Sequence, residues 1–132
     1  MTIDPEALLD DFEARRMHNC DFGHARHVAV AWAMLQRYDF VEAVARYGQG
    51  IRALATAAGA PEKFNATITV AFLSLIAERI AAAPHTDFQR FTDANPDLMT
   101  KQAVTDLYSD ARLNSAAARK SFLLPDRAVR TV

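Results

Sequence analysis

Three long segments with apolar residues at helical spacing follow one another almost without a break: 22–38, 40–58 and 61–83. Only Asp39 separates the first two, and only a Gly-Ala pair separates the second from the third. Helices joined by such short connections pack as antiparallel neighbours. The chain is therefore predicted to form a helical bundle in which the direction of the helices alternates.

The residues at the segment ends support this pattern. Asp4 and Pro5 are typical of a helix start and predict a first helix over 5–17. Asp21 and Asp39 are predicted caps of the next two helices, and Gly59 is a predicted left-handed stop. Shorter helices are predicted over 86–94, 100–108 and 114–122. We expect an all-α fold, a single domain over 1–132 built as a compact bundle of four main helices with short C-terminal helices.

The overall charge excludes some classes of function. Fifteen basic and sixteen acidic residues give a net charge of −1, without a block of like charge. This balance argues against a nucleic-acid-binding face. No segment approaches the roughly 20 apolar residues of a membrane span, and the amino terminus lacks the pattern of a signal peptide. Cys20 is the single cysteine, so no internal disulfide is expected. We predict a soluble, cytoplasmic protein without nucleic-acid or membrane partners.

Two histidines lie on the apolar face of the 22–38 segment. At roughly 100° per residue, His24 and His27 share that face with Val28, Ala31 and Leu35. The 61–83 segment has a similar polar beginning, with Asn65 and Thr69 on its apolar face. In an alternating bundle these two helices start at the same end, so their polar side chains are expected to converge there.

This convergence predicts a small polar pocket at one end of the bundle. Two helix N-termini give that end a positive potential that favours an anionic group and a neutral imidazole. The candidate catalytic residues are His24 and His27, through acid–base chemistry. The candidate substrate-binding residues are Asn65, Thr69 and Arg52, which lies beside the apolar face of its helix.

Other interpretations of the same residues stay open. The histidines are equally compatible with structural roles, as groups that bond buried backbone atoms. They are also compatible with a divalent transition metal, for which His18, Cys20 or Asp21 would be the third ligand. Asn65 is either a site residue or the N-cap of its helix, after a turn over "PEKF". Thr69 is either a site residue or bonds a backbone carbonyl within the helix.

The segments "FGHARHVAVAW", "GIRALATAAGAPEKFNATIT", "NPDL" and "ARKSFLLPD" occur in that order between residues 22 and 126. In these segments the chain resembles a family of small, uncharacterised bacterial all-helical proteins. The resemblance implies no activity. It does imply a histidine at the position of Asn65, and hence three imidazoles at one end of the bundle. The asparagine makes a metal site of that kind doubtful in this chain.

The sequence supports two hypotheses of different classes. The first is a small-molecule enzyme that uses the two histidines on a small polar or anionic substrate, with or without a metal. The second is a helical interaction module without chemistry, whose interface would include Phe88, Phe91 and Leu98. A second copy of the chain is a further candidate partner, because the tail after Arg119 is either packed on its own bundle or crosses to another subunit as in a homodimer.

Overall fold

A computed structural model describes residues 3–18, 23–84 and 87–127, and within these ranges the chain forms helices and no strand. The α-helices are α1 Pro5–Glu13, α2 His24–Arg37, α3 Phe40–Ala57, α4 Ala66–Ala82, α5 Phe88–Ala94, α6 Gln102–Thr105, α7 Asp110–Leu113 and α8 Ala116–Lys120. Two 3₁₀ turns lie at Pro61–Lys63 and Pro96–Met99. The predicted all-α class, with four main helices before shorter ones, is confirmed.

Capping residues explain where α1 and α3 begin and end. Asp4 accepts a hydrogen bond from the Ala7 amide at 3.2 Å, and Asp39 accepts one from the Glu42 amide at 2.9 Å. Each satisfies an amide that has no partner inside its helix. Helix α3 ends before Gly59, whose φ of 75° is the predicted left-handed stop. Helix α1 ends at Glu13, four residues before the predicted end, because Arg15 adopts a left-handed φ of 60°.

The beginnings of α2 and α4 differ from the prediction. Helix α2 begins at His24 with Gly23 at its N-cap position, and the predicted cap, Asp21, lies outside the described residues. The prediction that Pro61 opens the fourth helix is wrong. Pro61 opens a separate 3₁₀ turn, and Asn65 caps α4 by accepting a hydrogen bond from the Ile68 amide at 2.9 Å.

Helix α2 lies at the centre of the bundle. It contacts α1, α3, α4 and the Pro96–Met99 turn, and every residue from Val28 to Met34 is buried. The sequence pattern places Ala33 on the solvent side, but the structure buries it completely. A helix with neighbours on several sides buries its small residues on every face, so the two-faced pattern fails in the middle of α2.

The C-terminal segments pack against the long helices. Phe91 and Leu98 are fully buried in the shared core. The extended tail lies on α4, where Thr67 Oγ1 donates a hydrogen bond to the Ser121 carbonyl at 2.6 Å and accepts one from the Leu123 amide at 3.1 Å. The tail therefore packs on its own bundle as far as Arg127. In the described part of the chain, no helix has the length and apolar character needed to cross a bilayer.

Candidate functional site

A cavity of about 820 Å³ opens between the first turns of α2 and α4 and the second half of α3. The segments 100–105 and 110–114 complete its wall. All four residues that the sequence brings to this end, His24, His27, Asn65 and Thr69, line it. Alternation of the helices accounts for this placement, because α2 and α4 point in the same direction.

Most of the wall is apolar. The apolar lining residues are Ile51, Leu54, Ala55, Ala58, Ala60, Phe64, Ile68, Phe72, Val104 and Leu113. Lys63, Lys101 and Asp110 also line the cavity and are exposed to solvent, so they mark its mouth. The cavity is thus an apolar hollow with polar groups at two levels: histidines inside and charged side chains at the edge.

His24 is the first residue of α2 and has a defined hydrogen bond. Its Nε2 lies 2.8 Å from the Leu98 carbonyl oxygen. A carbonyl oxygen only accepts, so Nε2 carries the hydrogen and donates it. In the neutral ring Nδ1 is then left as an acceptor. The ring also packs against Phe72, with the ring centres 5.3 Å apart.

His27 lies one turn further along α2 and is held neutral. Burial, together with the smaller effect of the nearby His24, lowers the pKa of His27 from 6.5 to about 4. A buried cation loses its hydration, which favours the neutral form. At neutral pH this side chain therefore carries no charge.

Asn65 and Thr69 both serve the fold as well as lining the cavity. The Asn65 side chain caps α4 and also donates from Nδ2 to the Leu113 carbonyl at 2.8 Å. Thr69 Oγ1 donates to the Asn65 carbonyl at 2.7 Å. The capping and backbone-bonding interpretations are therefore confirmed for the two residues, and their role toward a substrate stays a prediction.

Arg52 lies outside the cavity. Its side chain is exposed, and its guanidinium lies over the ring of Phe64 with 4.9 Å to the ring centre. Phe64 lines the cavity from the other side. Arg52 thus supports the wall through a cation–π contact.

For a metal site, the described residues supply two imidazoles and no third ligand. No group of three His, Cys, Asp or Glu side chains there has the placement to hold an ion, and His18 forms no such group with the pair. Cys20 and Asp21 lie outside the described residues. The amide of Asn65 has its oxygen on Ile68 and its nitrogen on Leu113, so it does not fit the ligand position that the family resemblance implies.

Seven polar residues that line the cavity were not predicted from the sequence: Tyr47, Lys63, Thr100, Lys101, Thr105, Asp110 and Asn114. Tyr47 is only 2% exposed, and its ring stacks on Phe12 with 5.9 Å between centres. Burial raises the pKa of Tyr47. Among the described residues no hydrogen bond to its hydroxyl is present, while the fully buried side-chain atom without a partner there is Trp32 Nε1. A tyrosine on the core face of a helix is itself a signal of a buried hydroxyl that needs a partner.

Comparison with known proteins brings no relative: no family model, no curated protein and no solved structure matches the chain. The family resemblance of the sequence therefore stays a prediction. Function has to be argued from the cavity and the groups that line it.

Proposed function

We propose that this chain binds a small molecule in the cavity and that His24 and His27 contact its reactive or polar group. The observation that carries the proposal is the placement of two imidazoles on the wall of one mostly apolar hollow. Ligand sites combine an apolar wall with a few convergent polar groups in this way.

The size of the hollow supports a ligand. Pockets for small molecules have volumes of about 300–1,000 Å³, and the cavity has about 820 Å³. The cavity is open to solvent on the side of the exposed Lys63, Lys101 and Asp110, so a small molecule has access to its apolar wall.

The two histidines suit different parts in proton transfer. The Leu98 carbonyl orients His24 and leaves Nδ1 as an acceptor, which is how a third group orients the base in enzymes that use an imidazole. His27, with its lowered pKa, is a weak base near neutral pH and serves better as a neutral hydrogen-bond partner. A positioned base contributes about 10²–10⁴ in rate. We therefore assign proton acceptance to His24. The proposed place of action is the cytoplasm.

A transition metal on the same histidines is the second candidate function. Its support is the hydrogen bond from His24 to Leu98, because metal-bound histidines usually donate their other N–H to a carbonyl or carboxylate. A third ligand would have to come from Cys20 or Asp21. Cobalt titration followed by visible absorption tests this variant, and a spectrum unchanged by His24→Ala would exclude it.

The interaction module is less well supported. Its proposed interface included Phe91 and Leu98, which are both fully buried, and Phe88, which packs on Trp32. Phe91 and Leu98 are therefore not accessible to a partner, and their predicted exposure is wrong. Phe88 is half-buried, and the interaction module stays a prediction.

Fluorescence of anilinonaphthalene sulfonate, an amphiphilic dye that brightens in apolar sites, tests ligand binding. We expect one saturable site in the native protein and its loss in Ala55→Trp, which fills the cavity from α3. Ala45→Trp is the matched control, since Ala45 lies exposed on the same helix away from the cavity.

The same assay tests the histidines. Exchange of both His24 and His27 for Ala should weaken dye binding while circular dichroism still shows a folded helical protein. Equal dye binding by the native protein and the Ala55→Trp variant would refute the proposed site. If dye binding is lost in Ala55→Trp but unchanged by the histidine exchange, the cavity is a ligand site and the proposed contact of the histidines with the ligand is wrong.

A further inference from the structure

We propose that the ligand of this cavity is an amphiphilic acid, with a neutral oxygen at the inner end by Tyr47, an apolar body, and an anionic group at the mouth by Lys63 and Lys101. This inference rests on the proposed function and names the class of molecule that the cavity takes. Three features of the wall support it, and each concerns a different part of the ligand.

The inner end of the cavity calls for a hydrogen-bonding group. Tyr47 is 2% exposed, and no hydrogen bond joins its hydroxyl to another residue within the described ranges, yet the hydroxyl is not among the fully buried polar atoms without a partner. Phe12 stacks on its ring. Since the residue lines the cavity, a ligand oxygen there can replace water as the partner of its hydroxyl.

That group has to be uncharged. Tyr47 is buried where it lines the cavity, and burial raises the pKa of its hydroxyl, so this side chain supplies no charge at neutral pH. An ionised carboxylate taken into this part of the cavity would lose its hydration without gaining a countercharge, which is strongly unfavourable. A hydroxyl or a carbonyl oxygen meets both conditions.

The mouth of the cavity favours a charged group, in contrast to the inner end. Lys63 follows the Pro61 turn, Lys101 precedes α6, and both are exposed lining residues. Asp110 is the only acidic residue that lines the cavity in the described part of the chain, so the mouth has a net charge of +1. An anionic group stays hydrated there and gains attraction from two ammonium groups.

The wall between these two levels fits the body of the ligand. Ile51, Leu54 and Ile68 come from α3 and α4, and Val104 and Leu113 come from the C-terminal segments. Ile68 is 39% exposed, an unusual exposure for a large apolar side chain on the inner face of a helix. An apolar body laid against it removes that surface from water.

Three probes of equal chain length separate the contributions: ω-hydroxydecanoate has both polar ends, decanoate lacks the inner oxygen, and decanediol lacks the charge. Affinity is measured by displacement of anilinonaphthalene sulfonate from the full chain. We expect ω-hydroxydecanoate to bind about threefold to tenfold more tightly than either of the others, the range of one hydrogen bond or one exposed ion pair.

Two variants test which residues contact each end of the ligand. Exchange of Lys63 and Lys101 for Ala should weaken the binding of both acids and leave the binding of decanediol unchanged. Lys120→Ala is the control, because Lys120 lies on α8 away from the cavity. Tyr47→Phe should weaken the hydroxyl-bearing probes and leave decanoate unchanged, with Tyr38→Phe as the control. The loss on lysine exchange should disappear at high salt.

The outcomes separate the two proposals. If all three probes bind equally in the native protein and are lost on Ala55→Trp, the cavity binds ligands but the amphiphilic acid is wrong. If the dye binds in the cavity and no probe displaces it, the amphiphilic acid is likewise wrong. If the Ala55→Trp variant binds the dye as the native protein does, the proposed function itself is wrong.

Discussion

The Nε2 atom of His24 and the carbonyl oxygen of Leu98 lie 2.8 Å apart, although 74 positions separate the two residues in the chain. This hydrogen bond joins the first turn of α2 to the Pro96–Met99 turn. It fixes which nitrogen of the ring carries the hydrogen when the ring is neutral. The chemistry of a residue near the start of the chain therefore depends on a turn near its end.

That turn is held by an ion pair. Arg79 on α4 donates two hydrogen bonds to the Asp97 carboxylate, at 2.9 and 2.7 Å, and a third to Asn95 Oδ1 at 2.9 Å. Arg79 lowers the pKa of Asp97, which stays ionised at neutral pH. Asn95 in turn donates to the Phe91 carbonyl at 2.9 Å. Arg79 and Asp97 are thus positioning residues for the Leu98 carbonyl.

Removal of Asp97 should release His24. In Asp97→Ala we expect the Nε2 proton of His24, protected by Leu98 in the native protein, to exchange faster and its NMR resonance to broaden. Loss of the partly exposed ion pair should lower the free energy of unfolding by about 1 kcal/mol. Asp93→Ala is the control, because Asp93 is exposed and bonds only Gln89 among the described residues. An Nε2 resonance that is the same in all three proteins would show that the turn does not position His24.

Gly50 and Gly48 on α3 should respond in opposite directions to exchange for Ala. A Cβ at Gly50 would overlap the ring of Phe12, whereas one at Gly48 meets nothing within 4 Å. We expect Gly50→Ala to lower the free energy of unfolding by about 1–3 kcal/mol through overpacking. Gly48→Ala should raise it by about 0.5–1 kcal/mol through helix propensity. Urea unfolding of both variants measures this. Equal effects would mean that the Phe12 ring moves aside freely.

Asn65 should matter for stability through two separate bonds. Asn65→Ala loses the cap of α4 and the bond to Leu113, so we expect a loss of about 1–2 kcal/mol. Asn65→Asp keeps a capping oxygen and loses only the donor to Leu113, so its loss should be smaller. Thermal or urea unfolding ranks the three proteins. Equal losses in the two variants would show that the Leu113 bond, which both lack, dominates over the cap.

Much of this arrangement could be predicted from the sequence. Asp39 and Gly59 mark the ends of α3, because a cap and a left-handed residue act through local backbone geometry. The meeting of His24 with Asn65 at one cavity follows from helical periodicity and very short connections. Both inferences use only residues that lie close together in the sequence, and both agree with the structure.

The remaining features depend on contacts between distant segments. Nothing local to Leu98 indicates that its carbonyl receives a hydrogen bond from His24. The burial of Ala33 reflects how many helices surround α2, which the pattern of one helix cannot report. A tyrosine on the core face of a helix, such as Tyr47, is typical of packing, and its position in the sequence does not tell whether a cavity lies beside it. Helical periodicity predicts the helix face on which a residue lies, whereas the packing of the other segments determines what that face contacts.

The neutral state of His27 has a consequence for stability against pH. Its pKa is about 4 in the folded chain and 6.5 when unfolded, so the unfolded chain takes up the proton first as the pH falls. The contribution of neutral His27 is fully present above pH 6.5 and is lost as the pH falls through 6.5 toward about 4. The whole difference corresponds to about 3 kcal/mol.

His27→Leu should remove this part of the pH dependence, because an apolar side chain of similar breadth has no proton to bind. We expect the variant to equal or exceed the native protein in stability near pH 5, and to differ less near pH 7.5, as measured by urea unfolding at a series of pH values. His18→Gln is the matched control, since His18 is exposed and away from the cavity. Carboxylates such as Asp97 also lose stability on acidification, but they do so equally in all three proteins. A difference between native protein and His27→Leu that stays constant from pH 7.5 to pH 5 would therefore show that His27 is not held neutral by burial.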